Sequence, residues 1–158
     1  MTTICAVPYD TSASAFYFSS ITEYDEKYTQ RLPVEEYEMQ FIDGDNPKLF
    51  NESDISQANI NLWFQALDDI EDDSDASISI RYLTSLGYSL SDAIHKKDEV
   101  AVFHGKPSDY AYEIFSDSEI PDYLSNYIDY DAIARDLELS GEICEFSSEV
   151  IITNAHDF

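Results

Sequence analysis

Basic side chains are scarce in this chain. Its 158 residues contain 8 Lys and Arg against 33 Asp and Glu, which gives a formal net charge of -25 at pH 7. A chain so poor in cations cannot neutralise the phosphates of nucleic acid, and its carboxylates repel the anionic inner leaflet of a membrane. We therefore expect neither direct nucleic-acid binding nor membrane association, and the partner that such a protein suits is a basic surface.

Other features are also sparse, and each shortage excludes a class of protein. No apolar run approaches the roughly 18 residues of a membrane-spanning helix, and residues 1–10 lack the basic and apolar regions of a signal peptide. The two cysteines, Cys5 and Cys144, have no metal-binding spacing, so we expect both to be reduced in a cytoplasmic protein. Only 4 Gly and 5 Pro argue against a low-complexity linker.

Apolar and aromatic residues are present in the amounts that folding needs. The chain is 44% hydrophobic and 14% aromatic, which opposes disorder in spite of the charge. Because like charges repel in a compact body, the net charge favours an elongated molecule over a compact one. We predict an α+β fold, an elongated chain of three small domains with an acidic surface, over residues 1–53, 54–98 and 99–158.

The first third predicts an N-terminal α+β domain with an antiparallel sheet. Residues 2–9 and 14–20 are rich in β-forming side chains and indicate two strands. A helix is predicted over 21–31, and alternating apolar side chains predict a third strand over 35–43.

The middle third predicts a small helical domain. Apolar residues recur there at helical spacing and predict a helix over 55–70, with Ser53 or Asp54 as its N-cap. Two further helices are predicted over 76–86 and 90–97.

Acidic residues crowd the end of the first of these central helices. A helix C-terminus carries a partial negative charge, so acids placed there oppose local stability by about 0.3–1 kcal/mol each. The acids concerned are Asp68, Asp69, Glu71, Asp72, Asp73 and Asp75, of which Asp73 to Asp75 are better placed because they lie at the start of the helix predicted over 76–86.

The last third predicts a C-terminal α+β domain. A strand over 99–104 precedes a helix that starts after Pro107. A second helix is predicted over 129–139, with Gly141 as its C-terminal stop, and the remaining residues indicate a hairpin around Ser147-Ser148.

Motifs for catalysis and metal binding are missing. The best match to a calcium loop, residues 43–54, has Lys48 where the loop requires glycine and ends in Asp instead of Glu. His95, His104 and His156 form no zinc motif, and there is neither a glycine-rich phosphate loop nor a nucleophile elbow. We therefore expect no enzymatic activity, no cofactor and no metal site.

The net charge is commensurate with a stretch of DNA. Duplex DNA carries about one negative charge per 1.7 Å of axis, so 25 net charges correspond to roughly 42 Å, or about 12 base pairs. Carboxylates that splay from a helix face can stand in for successive phosphates in a groove lined with Lys and Arg. The charge thus favours competition with DNA, but an acidic halophile-type enzyme or a cation-binding protein has a similar imbalance.

A specific sequence pattern distinguishes these alternatives. Within residues 120–141, IPDYLSNYIDYDAIARDLELSG, the spacing Tyr-x-Asp-Tyr-x-Ala-x-x-Arg-Asp runs from Tyr127 to Asp136. It resembles the antirestriction motif of the ArdA family, DNA mimics carried by plasmids, conjugative transposons and phages. Weaker similarity extends upstream over EEYEMQFID, NLWFQALDDI and EVAVFHG, so the resemblance covers most of the chain.

The resemblance implies a non-catalytic, elongated homodimer joined through its third domain. Such proteins occupy the DNA-binding groove of type I restriction-modification enzymes, contacting specificity and modification subunits in the bacterial cytoplasm. The alternative is a mimic directed at another defence complex or at a nucleoid protein. The motif is expected to serve folding of the third domain or the dimer contact, and Arg135 is expected to pair internally with a carboxylate. The motif residues concerned are Tyr127, Ile128, Asp129, Tyr130, Arg135 and Asp136.

Two groups of acids are predicted to contact the target. One is the set over residues 68–75 named above, and the other comprises Asp117, Glu119 and Asp122. Because the contact is multivalent, we expect a single Asp→Asn change to be nearly silent and neutralisation of the whole 68–75 set to weaken binding.

Overall fold

The computed structural model describes residues 1–34 and 36–158, which form two compact units, Met1–Lys97 and Asp98–Phe158. Each unit contains one three-stranded antiparallel sheet together with helices. The predicted α+β class is therefore confirmed. The division into three domains stays a prediction.

The sheet of the first unit has the strand order β2-β1-β3, comprising β1 (Thr3–Pro8), β2 (Phe16–Phe18) and β3 (Tyr37–Asp43). Strand β1 is central, and its register places Ile4 opposite Phe18 and Ala6 opposite Met39. These four side chains are buried and form one layer of the core. Of the predicted third strand, Glu35 lies outside the described residues.

Helix α1 (Ile21–Thr29) follows β2 and packs against the sheet through Tyr24, whose ring centroid lies 4.9 Å from that of Phe18. It begins as predicted, because the hydroxyl of Ser20 accepts a hydrogen bond from the backbone N–H of Glu23.

The remaining helices of the first unit differ from prediction at one place. The single helix predicted over 55–70 is wrong: a separate short helix ends before Ser53, and the next helical turn begins only at Ile60. Asp54 has a left-handed backbone with φ of 54°, which no helix accommodates. The helices are α2 (Pro47–Glu52), α3 (Ile60–Leu62) continued by a π-helix (Trp63–Leu67), α4 (Asp75–Ser85) and α5 (Leu90–Lys96), followed by a 3-10 helix (Lys97–Glu99).

The predicted N-caps of the central helix, Ser53 and Asp54, are therefore also wrong. Ser53 is the buried C-cap of α2, and α3 begins after Asn59. The apolar stripe predicted for this helix comprises Ile60, Trp63, Leu67 and Ile70, and its first three members are buried, whereas Ile70 is half-buried.

The second unit has the strand order β4-β6-β5 and a pair of packed helices. Helices α6 and α8 pack against each other, and each buries one small side chain, Ala111 on α6 and Ala134 on α8. Gly141 ends α8 with a left-handed φ of 79°, and the predicted final hairpin is present. The elements are β4 (Val102–His104), α6 (Pro107–Ser116), α7 (Asp122–Ser125), α8 (Tyr130–Ser140), β5 (Cys144–Ser147), β6 (Val150–Ile152) and a 3-10 helix (Ala155–Asp157).

Candidate functional site

The carboxylates of the described residues face solvent almost without exception. Every described Asp and Glu is exposed apart from Glu23, Asp68 and Asp72, which are half-buried. The carboxylates of all three accept hydrogen bonds from backbone N–H groups, that of Glu23 from Ser19. Asp68 and Asp72 belong to the set predicted to contact a target. The acids thus divide into a large group whose carboxylates face solvent and a small group whose carboxylates accept hydrogen bonds from the backbone and so stabilise the fold.

Residues 68–75, the acidic segment, follow directly from the π-helix. In that helix the backbone N–H of Asp68 donates to the carbonyl of Trp63 at 2.9 Å, one residue further back than in an α-helix. Carbonyls at a helix end need donors from outside the helix ladder. The amide of Asn46 donates to the carbonyl oxygens of Leu67, Asp68 and Ile70 at 3.0–3.1 Å, and the carbonyl of Leu67 also accepts from the backbone N–H of Ile70 at 2.9 Å.

Two acids of the acidic segment hold it to the rest of the first unit. The carboxylate of Asp72 accepts hydrogen bonds from the backbone N–H groups of Lys48 and Leu49, at 2.9 and 2.8 Å, at the N-terminus of α2. The carboxylate of Asp68 accepts from the N–H of Thr2 at 3.2 Å. The sequence alone gave no reason to separate these two acids from their neighbours.

The other acids of the segment point outward. Asp73 lies 3.1 Å from the ammonium of Lys48, but its side chain is 90% exposed. Asp75 is exposed in the first turn of α4. Asp69 and Glu71 are exposed, and no donor among residues 1–34 and 36–158 reaches their carboxylates.

The expected opposition to local stability does not apply to Asp72, whereas Asp75 lies at the start of the next helix, as predicted. The chain turns after the π-helix, so that Asp72 lies at the N-terminus of α2 and Asp75 at the N-terminus of α4. Helix N-termini carry a partial positive charge that stabilises carboxylates. The segment therefore accommodates part of its negative charge at helix ends that favour it.

The second predicted group lies between α6 and α7 in the second unit. Asp117 is the C-cap of α6, Glu119 lies in the connection, and Asp122 begins α7. All three are exposed. Their role in binding stays a prediction, as does that of the acidic segment.

The motif residues divide into a structural and an exposed set. Asp129 is the N-cap of α8 and accepts from the N–H of Ala132 at 3.0 Å, while Tyr130 packs edge-to-face on Tyr112 at 5.2 Å between centroids. The cap fixes the start of α8, and the ring contact joins α8 to α6. The role of the motif in folding or in a dimer contact stays a prediction.

The remaining motif residues differ in exposure. Tyr127 is 84% exposed, Arg135 and Asp136 are exposed, and Ile128 is half-buried. No described carboxylate lies within ion-pair distance of Arg135, so its predicted internal pairing is wrong.

An open depression of about 590 Å³ lies over the start of α8. Its lining is aromatic and acidic, without Lys, Arg or His: the side chains are Ser108, Asp109, Tyr112, Asn126, Tyr127, Ile128, Asp129, Tyr130 and Asp131. It offers aromatic stacking surface and carboxylates.

Groups suited to metal or redox chemistry are not gathered into a site. No three His, Cys, Asp or Glu side chains of the described residues lie in a metal-binding cluster. Burial is the main cause that raises the pKa of the thiols of Cys5 and Cys144, which keeps both protonated at neutral pH. In the part of the chain that the structure describes, no helix has the length and apolar character to cross a membrane.

Residues 10–151 match a known protein family, described as antirestriction protein (ArdA). The match extends over most of the chain and includes both the acidic segment and the motif residues. No curated protein matches the chain. The family is not one of known enzymes, and it agrees with the resemblance seen in residues 120–141. The chain therefore belongs to the ArdA family of antirestriction proteins.

Proposed function

We propose that this antirestriction protein is a DNA mimic that occupies the DNA-binding groove of a type I restriction-modification enzyme, where it contacts the specificity and modification subunits. The observation that carries the proposal is the exposure of nearly every described acid in a chain with 33 Asp and Glu and only 8 Lys and Arg. A groove that binds DNA presents Lys and Arg, and its affinity for a negative surface comes largely from these charges.

The contact is distributed over many carboxylates. An exposed ion pair contributes only about 0.2–1 kcal/mol, so affinity must come from many of them at once. The acids best placed are those directed outward in the acidic segment and in the connection after α6. They are Asp69, Glu71, Asp73 and Asp75, with Asp117, Glu119 and Asp122 in the second unit.

Competition with DNA tests the proposal directly. A fluorescently labelled duplex is bound to a purified type I methyltransferase, and the protein is titrated in while anisotropy is followed. We expect stoichiometric displacement that weakens as salt is raised. Failure to displace DNA from methyltransferases of several subtypes would refute type I inhibition, and retention of a nucleoid protein or another defence complex from host lysate would redirect the mimicry there.

A pair of charge-matched variants tests the assignment of contacts. The first carries Asp69→Asn, Glu71→Gln, Asp73→Asn and Asp75→Asn, and we expect its affinity to fall about 30-fold, from about 0.5 kcal/mol for each contact. The control removes the same four charges from exposed acids outside both groups.

The control substitutions are Asp25→Asn, Glu26→Gln, Asp43→Asn and Asp45→Asn, all at exposed positions. We expect this variant to bind within about threefold of the parent, since only the long-range field is changed. An equal loss in both variants would show that the acidic segment has no special part in binding.

We also propose that the protein is a homodimer joined through its second unit. The resemblance of residues 120–141 to the antirestriction motif favours this unit, which exposes large apolar side chains that a second copy can cover, including Tyr123 at 74%, Tyr127 at 84% and Leu139 at 80%. Sedimentation analysis of Tyr127→Asp tests this: we expect a monomer, with Tyr17→Asp as the control, because Tyr17 is 58% exposed in the first unit.

A further inference from the structure

Asn46 is a buried polar residue with an unusual set of partners. It is 1% exposed, and its amide group donates to three backbone carbonyls at the end of the π-helix, those of Leu67, Asp68 and Ile70. Two amide hydrogens are thus shared among three acceptors. Its own carbonyl oxygen accepts from the hydroxyl of Thr2 at 3.4 Å, which sets the orientation of the amide.

The connection between this residue and the acidic segment runs in both directions. Asn46 lies at the N-cap position of α2 and donates to the backbone of the segment, while Asp72 of the segment accepts from the N–H groups of Lys48 and Leu49 in the first turn of α2. The side chain of Asn46 thus satisfies backbone carbonyls at the start of the acidic segment, and the side chain of Asp72 satisfies backbone N–H groups at the start of α2. The start of α2 and the acidic segment form one unit of structure.

An acidic segment has no tendency to hold a single shape by itself. Its carboxylates repel one another, and it follows the C-terminal end of a helix, where the dipole repels them too. Within the segment, Ser74 donates to the carbonyl of Glu71 from both its hydroxyl and its backbone N–H, and further fixation of the preceding residues must come from outside the segment. Asn46 supplies it without adding charge, because a neutral amide ties three carbonyls and leaves the carboxylates free to face outward.

We propose that Asn46 is a positioning residue for target binding: it holds the exposed carboxylates of the acidic segment in one arrangement before the basic groove is met. The proposal rests on the proposed DNA mimicry. Preorganised groups bind more tightly because the cost of ordering them is met on folding and not on binding. Asn46 itself touches no target.

The variant Asn46→Ala separates positioning from stability. Its matched control is Met39→Ala, which truncates another buried side chain of the same unit, on β3, and leaves the net charge unchanged as well. Both are studied at a temperature where the fluorescence of Trp63, the only tryptophan and fully buried, shows the native state.

Affinity and its salt dependence are the two readouts, measured by displacement of DNA from the type I methyltransferase. For Asn46→Ala we expect an affinity about tenfold lower and a plot of log affinity against log salt that is shallower by about 1–2, because fewer charges engage at once. For Met39→Ala we expect the parent affinity and slope. Loss of folded protein alone cannot change the slope.

A second variant keeps the test decisive if Asn46→Ala does not fold. Thr2→Val removes the hydroxyl that orients the amide and preserves shape, and we expect a smaller change of affinity and slope in the same direction. Parent affinity and slope in Thr2→Val and in any folded Asn46→Ala would overturn the proposal. Failure of the parent protein itself to displace DNA would instead overturn the proposed function.

Discussion

The two bonds that Asp72 accepts at the start of α2 give the sharpest prediction of stability. Asp72→Ala removes the acceptor of two backbone N–H groups, of which that of Lys48 is exposed and that of Leu49 is part-buried. Water can replace the acceptor at the first but only poorly at the second. Loss of a capping side chain costs about 0.5–2 kcal/mol and a bond to a charged group about 1.5–3 kcal/mol. We expect a loss of about 2 kcal/mol.

The change is measured by thermal unfolding followed through Trp63, which reports on the first unit. For a unit of this size, about 2 kcal/mol corresponds to a fall in Tm of roughly 10 °C. The control is Asp73→Ala, which removes the same charge from the neighbouring position. Its carboxylate is 90% exposed, so its ion pair with Lys48 contributes less than about 1 kcal/mol.

The comparison tests whether geometry or charge controls the stability of the acidic segment. Both variants remove one negative charge from the acidic segment, so the difference between them reports the bonds of Asp72 to α2, reduced by the small contribution of the ion pair between Asp73 and Lys48. Equal changes in Tm for Asp72→Ala and Asp73→Ala would refute the capping argument. A stabilised Asp72→Ala would show that repulsion outweighs the two hydrogen bonds.

Three further predictions concern other parts of the fold. Burial, aided by nearby Tyr28, raises the pKa of Tyr24 to about 12, so the stability from its neutral phenol is complete below about pH 10 and is lost as the pH rises towards 12. No partner within the described residues meets hydrogen-bond geometry for that hydroxyl, although nearby Gln57 lowers its pKa and so offsets part of the rise caused by burial. Tyr24→Phe should therefore leave stability at pH 7 unchanged and reduce alkaline unfolding, which denaturation at pH 7 and 11 measures. Glu52→Ala removes the carboxylate that lies 2.6 Å from the guanidinium of the buried Arg81. The free energy of unfolding in urea should fall by about 2 kcal/mol, less than for a fully buried ion pair because Glu52 is 49% exposed. An unchanged urea midpoint would contradict a stabilising role for this ion pair. Gly141→Ala should cost about 1 kcal/mol from backbone strain alone, since φ is 79° and no atom of the described residues lies within 4 Å of the added Cβ. Thermal unfolding of the whole protein followed by circular dichroism measures this cost, and no loss would mean that the helix end relaxes.

Elements with local signals were predictable from the sequence, whereas those fixed by distant contacts were not. Helix α8 has its cap at Asp129, its apolar spacing and its stop at Gly141 within one segment, and it was located correctly. Helix α2 is six residues long, too short for periodicity to emerge, and its first turn is satisfied by Asp72, 23 and 24 residues further along. No local pattern contains that information.

The same division applies to the candidate site. Charge and composition predicted that the acids would serve a negative surface, and they indicated the region around residues 68–75. They could not separate Asp69, which is exposed, from Asp72, which is half-buried and caps a helix, because the two are chemically alike. The importance of Asn46 could have been suspected only from its position before Pro47 at a helix start.

That neighbouring proline also bears on how the protein ages. Asparagine side chains convert to aspartate chiefly when the backbone nitrogen of the next residue attacks the amide and forms a cyclic imide. The nitrogen of Pro47 carries no hydrogen and is already fully substituted, so this route is closed at Asn46. Conversion there would set a new carboxylate against three carbonyl oxygens. The chain therefore protects, by the identity of a single adjacent residue, the amide on which its most acidic stretch depends.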